Sequence, residues 1–288
     1  MILFQRKFPH GVLMLTLLLS GMRDVRAGTL VRFRTTVGDW DVELFDADKP
    51  VTVQNFIRYI QAGRYQDSIM HRAVTNFVIQ GGGIYVANRG ATNAGLVYIP
   101  TDAPITNEFK VGPFYSNGYG TIAMAKTSDP NSATSQFFFN LANNSAMLDN
   151  TNNSGGFTVF GRVLAGTNAL NRLNPGPANT TINVANLGGV LAELPVLKPS
   201  PIGGVVYFTN LIYVDITLLD VQLSLRANGD REISWNSVSN RLNYVEYTTN
   251  FPPLWQLLVT TNAPGGNLRV LDTSSAKPSR FYRVRVDY

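Results

Sequence analysis

Three short stretches of the chain hold residue types that can do chemistry together. The first is His71-Arg72, followed by Phe77 and Gln80-Gly81-Gly82. The second is Met124-Ala125 with Ser135-Gln136-Phe137-Phe138. The third is Met147-Leu148-Asp149 with Phe157 to Gly161. Apolar and amide side chains surround one cation, Arg72. No nucleophile is paired with a base, and no two carboxylates are suited to general acid work. Such a set binds a polar group and polarises it through charged hydrogen bonds, without forming a covalent bond. The chain has no Cys, which excludes disulfides, thiolate nucleophiles and Cys-ligated metal centres. Its two His, His10 and His71, leave no basis for a multi-histidine metal site, and nothing in the three stretches calls for a cofactor.

Each of these residues also has an ordinary structural reading. Arg72 alone would be a surface or salt-bridged residue, and its functional reading depends on its companions. His71 lacks a partner of catalytic type and reads as a packing residue beside the arginine. Gly81-Gly82-Gly83 lacks the Lys-Ser/Thr that opens a phosphate-binding helix, so it reads as a tight turn at a strand end. In Phe137-Phe138-Phe139, strand alternation sends the outer two to one face and Phe138 to the other. Only Phe138 is then a site candidate.

The elements that must position these residues are mostly strands. Residues 30–36 and 40–45 flank a turn at Val37-Gly38-Asp39, and Trp40, Val42 and Leu44 alternate with Asp41 and Glu43, as in a hairpin with one buried face. A helix follows from Pro50, with Val53, Phe56, Ile57 and Ile60 on one face and Gly63 placed to end it. Further strands are expected at 77–80, 120–125, 136–140 and 158–163, and a second helix at 168–173. Residues 174–210, rich in Pro, Gly and Asn, read as loops. The run 211–219 reads as a strand returning to close the first sheet. Beyond it, Asn228-Gly229-Asp230 marks a hairpin, and short strands recur to the end of the chain with no helix between them. That pattern predicts a small β-sandwich over 220–288, with Trp235 and Trp255 in its core.

Residues 1–27 read as a signal peptide. Arg6, Lys7 and His10 form a basic start, 12–19 an apolar stretch, and Val25-Arg26-Ala27 a cleavage site before Gly28. The apolar stretch is too short for a span of about 20 residues, so the mature chain is expected to be exported, periplasmic or extracellular, with no stable membrane insertion. The formal charge of +5 shrinks accordingly, because this segment holds four Lys and Arg against one acid. The remainder keeps 20 basic and 18 acidic residues with no basic run, which argues against a nucleic-acid partner. Acceptor patterns at Asn143, Asn152 and Asn179 bear on glycosylation only in a eukaryotic secretory route.

The run from His71 through Phe77-Val78-Ile79-Gln80-Gly81-Gly82 resembles the signature of the cyclophilin-type peptidyl-prolyl isomerases. Met124, Ser135 to Phe138, Leu148-Asp149 and Val159-Phe160-Gly161 match in the same order, and Thr52, Asn55 and Phe56 fit the family's first helix. The resemblance covers about 30–219. It implies a mainly β fold, an eight-stranded closed β-barrel capped by two helices, over a domain of residues 28–219. It also implies cofactor-free rotation of X–Pro bonds in proline-containing polypeptides. By the same resemblance, Arg72, Phe77, Gln80 and Gln136 would be catalytic, and Val78, Ala125, Lys126, Phe138, Met147, Leu148 and Phe157 would line the peptide site. Met147 stands where many cyclophilins carry a rim Trp that contacts cyclosporin, Phe157 where they carry a pocket His, Val78 where Met is usual, and Lys126 where Asn is frequent. The loop 127–134 looks like the bacterial branch. Ile233-Ser234-Trp235, Tyr244 to Tyr247 and Phe281 to Val284 resemble fibronectin type III-like ends of secreted bacterial proteins. Such an end implies contact with glycans or the cell envelope. Two rivals stand beside the isomerase reading: a module of the same fold that grips proline-containing segments without useful turnover, and a surface or matrix protein in which the sandwich carries the function and the barrel is a scaffold.

Overall fold

A computed structural model describes residues 29–199, 205–219, 221–237, 242–250, 253–262, 266–274 and 279–286. The expected signal peptide lies outside the described residues. Strands β1 (Leu30–Thr35) and β2 (Gly38–Leu44) come first, then helix α1 (Pro50–Gln61). Next are β3 (Ser68–Ile69), β4 (Arg72–Ala73), β5 (Val78–Gly81), β6 (Ile84–Ala87), β7 (Gly95–Tyr98), β8 (Thr121–Met124) and β9 (Phe137–Asn140). Helix α2 (Ser145–Leu148), β10 (Val159–Ala165) and α3 (Thr167–Arg172) lead to β11 (Ile182–Ala185), β12 (Leu194–Leu197) and β13 (Tyr213–Leu218).

The opening hairpin forms as its alternation dictates. Trp40, Val42 and Leu44 are buried, and Phe33, opposite Trp40, stacks on it with ring centroids 5.5 Å apart. Strand β13 returns as expected and pairs with β1 along its length and with β3.

The barrel itself departs from expectation. In place of a closed eight-stranded barrel there is one eleven-stranded sheet, ordered β4-β5-β9-β8-β10-β2-β1-β13-β3-β6-β7 and curled into a half-barrel. Its end strands, β4 and β7, do not pair with each other. The physical reason lies in the connections. Strands β3 and β4 follow one another in the chain yet stand near opposite ends of the sheet, as do β5 and β6. The backbone itself crosses between the ends at Met70-His71 and Gly82-Gly83, so the ends are joined by the chain and not by a ladder between β4 and β7.

Three further differences are local. A one-turn helix, α2, adds to the two expected ones and carries Met147 and Leu148. The segment read as loops contains the β11–β12 hairpin, whose Ile182, Leu194 and Val196 are buried. Three well-spaced apolar residues there find a surface to cover, which local composition does not reveal. Trp255 is only half-buried, with the Arg283 guanidinium 4.3 Å from its ring, and takes no part in the core that Trp235 helps form.

Beyond residue 220 the strands are β14 (Val221–Leu225), β15 (Arg231–Ser237), β16 (Leu242–Thr248), β17 (Gln256–Asn262), β18 (Gly266–Asp272) and β19 (Phe281–Val286). They make two three-stranded antiparallel sheets, β14-β15-β18 and β17-β16-β19. Both contribute to one apolar cluster around the buried Ile233, Trp235 and Val245.

Helix α1 buries Thr52, Val53, Asn55, Phe56, Tyr59 and Ile60 against the main core. Its first turn contains no acid, and Lys49 gives no side-chain cap. The missing acceptor arrives from far along the chain. The buried carboxylate of Glu108 accepts the Val51 N–H at 3.1 Å and the Thr52 N–H at 2.7 Å. A carboxylate there satisfies two free donors and faces the positive end of the helix dipole. Glu108→Ala is therefore expected to lower unfolding free energy by about 2 kcal/mol in a urea titration, with Glu108→Gln recovering part of the loss.

Candidate active site

The site is built on the outer face of the curled sheet. Cross-strand registers put Arg72 opposite Gln80, Gln80 opposite Phe138, Phe138 opposite Ala123, and Ala123 opposite Val159. These five residues from β4, β5, β9, β8 and β10 form one row on one face. The alternate residues Ile79, Phe137, Phe139 and Ile122 point the other way, into the main core. The expected alternation of the three phenylalanines holds. Phe138 packs with Val78, Ala123, Leu148 and Val159 in a separate cluster beneath the site.

Above that row lies a pocket of about 170 Å³ lined by Arg72, Phe77, Val78, Gln80, Ala125, Lys126, Phe138, Leu148 and Phe157. Nine of the expected residues thus meet around one cavity. Its floor is apolar, and Phe157 stands edge-on to Phe138 at 5.8 Å. Lys126 donates to the Ser154 carbonyl at 2.5 Å and the Gly156 carbonyl at 2.6 Å, with its ammonium 4.8 Å from the Phe157 ring centre. Burial pushes that ammonium down to about 8, with Asp129 pulling against it.

Two expected residues stand elsewhere. Gln136 does not line the cavity; its Oε1 accepts the Gln80 Nε2–H at 2.8 Å and so orients Gln80. Met147, 57% exposed, lies outside the lining because α2 turns Leu148 inward and leaves Met147 on its solvent side. The Ala125 N–H is engaged by the Gln136 carbonyl at 2.9 Å, so that donor serves the sheet.

Sequence reasoning missed two supports. One is a buried chain of asparagines. Asn144 Nδ2 donates to the Phe77 carbonyl at 2.8 Å and to Asn140 Oδ1 at 2.7 Å. Asn140 Nδ2 donates to Asn117 Oδ1 at 3.1 Å, and Asn117 Nδ2 to the Phe157 carbonyl at 2.9 Å. These bonds tie together the backbones that present Phe77 and Phe157. The other is Glu193, whose Oε2 accepts the Arg72 Nε–H at 2.6 Å. Neither was legible, because an amide or carboxylate gives no hint in sequence of a partner tens of residues away.

The glycines and His71 behave as structural parts. Gly82 has φ of +76°, and a Cβ there would sit 2.5 Å from the Ser135 carbonyl oxygen. His71 is 4% exposed, and its Nδ1 has no hydrogen-bond partner among the described residues. Burial pushes its imidazole down to about 4, against upward pulls from Gln136 and the Ile69 backbone, and Arg72 pushes it further down. It is a neutral packing group at physiological pH.

Comparison with known proteins bears directly on this arrangement. Residues 30–188 match the family model for cyclophilin type peptidyl-prolyl cis-trans isomerases. The chain belongs to the cyclophilin-type family. It is a peptidyl-prolyl cis-trans isomerase. A peptidyl-prolyl cis-trans isomerase of Acinetobacter baylyi is 37% identical over 154 residues, 54% of this chain and 76% of that one. One from Streptomyces antibioticus, cyp18, is 40% identical over 146 residues, 50% of this chain and 81% of that one. A Cryptosporidium parvum cyclophilin solved in the presence of the dipeptide Ala-Pro is 24% identical. The match covers 66% of this chain and 99% of that chain, with a TM-score of 0.44.

The histidine makes a pH prediction for this cyclophilin. An imidazole at about 4 in the folded state and 6.5 unfolded leaves the unfolded chain binding more protons between those values. Its contribution to stability is full above pH 6.5 and is lost as pH falls to about 4, on the order of 3 kcal/mol in all. Urea titrations at pH 7, 5.5 and 4 should show a flatter fall for His71→Asn than for the wild type. Parallel curves would refute the assignment.

Proposed function

We propose that this cyclophilin rotates X–Pro bonds non-covalently, with Arg72 as the group that acts on the prolyl amide and the apolar pocket as the seat of the proline ring. The observation that carries the reading is the row Arg72–Gln80–Phe138, which sets a guanidinium and a carboxamide beside an apolar floor. Rotation about the peptide C–N bond breaks amide resonance, with a barrier of about 18–20 kcal/mol. As the bond twists, the nitrogen lone pair leaves conjugation and becomes a hydrogen-bond acceptor. A guanidinium that donates to the nitrogen favours the twisted form over both planar ones, which is the condition for catalysis.

Phe77, Val78, Phe138, Leu148 and Phe157 would hold the ring by contact and by excluding water. Gln80, its carboxamide steadied by Gln136, would bind the peptide backbone on one side of the turning bond. Lys126 would serve mainly as a wall, since its ammonium is committed to two carbonyls. Shortening tens of seconds to milliseconds needs a barrier reduction of about 5–6 kcal/mol. A charged hydrogen bond supplies about 1.5–3 kcal/mol of that, and orientation in a dry pocket the remainder.

Exported polypeptides are the proposed substrates, on the strength of the basic, apolar and small-residue pattern in 1–27. The strands beyond 220 are read as a small fibronectin type III-like sandwich, supported by the apolar cluster that both sheets share.

A protease-coupled assay with an X–Pro peptide tests the chemistry. Arg72→Ala should lose about ten- to a hundredfold in kcat/KM, and Arg72→Lys should restore little of it, since an ammonium lacks the planar fork of donors. A wild-type rate no greater than background overturns the reading. Export is tested separately. Expressed in full in a bacterium, the chain should be recovered outside the cytoplasm beginning at Gly28, and a cytoplasmic product retaining Met1 would refute the leader.

A further inference from the structure

Arg72 does not stand alone at the mouth of the pocket. Its Nε–H donates to Glu193 Oε2 at 2.6 Å, while the same residue's backbone carbonyl accepts the Ala73 N–H at 2.8 Å. Glu193 therefore grips β4 at two points, one on the side chain of Arg72 and one on the peptide that follows it. The glutamate lies beyond residue 188, where the match to the family model stops. It immediately precedes β12, whose Leu194 and Val196 are buried against Ile69, Ile84 and Val86. Such an anchor gives the Glu193 backbone little freedom, so its carboxylate is presented at a set position.

We propose that Glu193 is a positioning residue for Arg72, fixing the guanidinium through Nε so that its two terminal nitrogens face the proline pocket. The inference rests on the isomerase reading of that pocket. Several features support it. The bond uses Nε and so leaves both terminal nitrogens of the guanidinium to donate to a prolyl amide. The pair is half-exposed, with side chains 37% and 42% accessible, so its value lies in orientation more than in Coulomb energy. Arginine has many rotamers, and one carboxylate at Nε removes most of them before substrate arrives. Glu193 itself does not line the cavity, so it acts through the arginine.

The test uses the full chain. Glu193→Ala should lower kcat/KM by about threefold to tenfold, the factor that ordering one rotamer-rich side chain represents. Glu193→Gln, which keeps a neutral acceptor, should fall between the variant and the wild type. In the Arg72→Ala background Glu193→Ala should change nothing, because the residue to be positioned is gone. Nitrogen-resolved NMR should show the Arg72 Nε–H slow to exchange in the wild type and fast in Glu193→Ala, with thermal midpoints alike.

The opposite outcomes are equally clear. A rise in activity in Glu193→Ala would make the carboxylate an inhibitory latch and overturn the proposal. So would an unchanged rate, or an equal further loss in the Arg72→Ala background. If Arg72→Ala itself keeps full activity, the reading of the pocket fails, and that result is distinct from a failure of Glu193 alone.

Discussion

An extended strand must send successive side chains to opposite faces, and the run Phe137-Phe138-Phe139 cannot escape that rule. Two of the rings enter the aromatic core with Phe33, Trp40 and Phe56, and the third is forced to the outer face. The same two-residue period in β5 and β8 turns Ile79 and Ile122 inward and sets Val78, Gln80 and Ala123 beside Phe138. One sheet layer thus serves two purposes. Its inner face is the main core, and its outer face is the floor of the pocket. A slip of one residue between β5 and β9 would exchange core for site.

A cation beside an apolar floor needs support, since desolvation disfavours its charge and its long stem has many conformations. The chain supplies that support from distant segments. Glu193 meets Arg72 from 121 positions away, and Gln136 meets Gln80 from 56. The buried asparagines do the same for the backbone beneath Phe77 and Phe157. Each asparagine amide among them donates to a carbonyl or to a neighbouring amide oxygen, so these buried groups are paired. The apolar pocket and its polar frame are parts of one arrangement, since the frame sets where each apolar side chain is presented.

The sheets beyond residue 220 hold themselves together in a different way. Their apolar cluster is small, and a buried carboxylate adds to it: Asp272 accepts from Arg280 at 2.6 Å, from Tyr282 at 2.5 Å and from Ser274 at 2.6 Å. Those hydrogen bonds hold the Asp272 carboxyl well below the usual carboxylate range although burial opposes them. Trp235 likewise satisfies its indole N–H on the buried Asn243 at 3.0 Å. A small core that also buries polar groups keeps them by pairing them, as the Asp272 carboxylate and the Trp235 indole are paired here.

Local pattern sufficed for much of this protein. The β1–β2 hairpin, α1, the strand at 213–218 and the Asn228-Gly229 hairpin are each written in neighbouring residues, because turn chemistry and periodicity act over a few positions. The residues around the pocket were legible as well, through motifs that keep Arg72, Phe77, Gln80 and Phe138 in order. Other features required the folded chain. Whether the sheet closes depends on two backbone crossings, Met70-His71 and Gly82-Gly83, that join its ends. Met147 and Leu148 are adjacent in sequence, yet one turn of helix puts one in solvent and the other in the pocket. The hairpin at 182–197 forms because Ile182, Leu194 and Val196 find an apolar surface elsewhere in the molecule. Periodicity and motif order determined which residues can form strands and which chemistry they can carry. Tertiary structure alone decided which distant amide or carboxylate steadies each of them, since such contacts depend on separation in space and leave no trace in spacing along the chain.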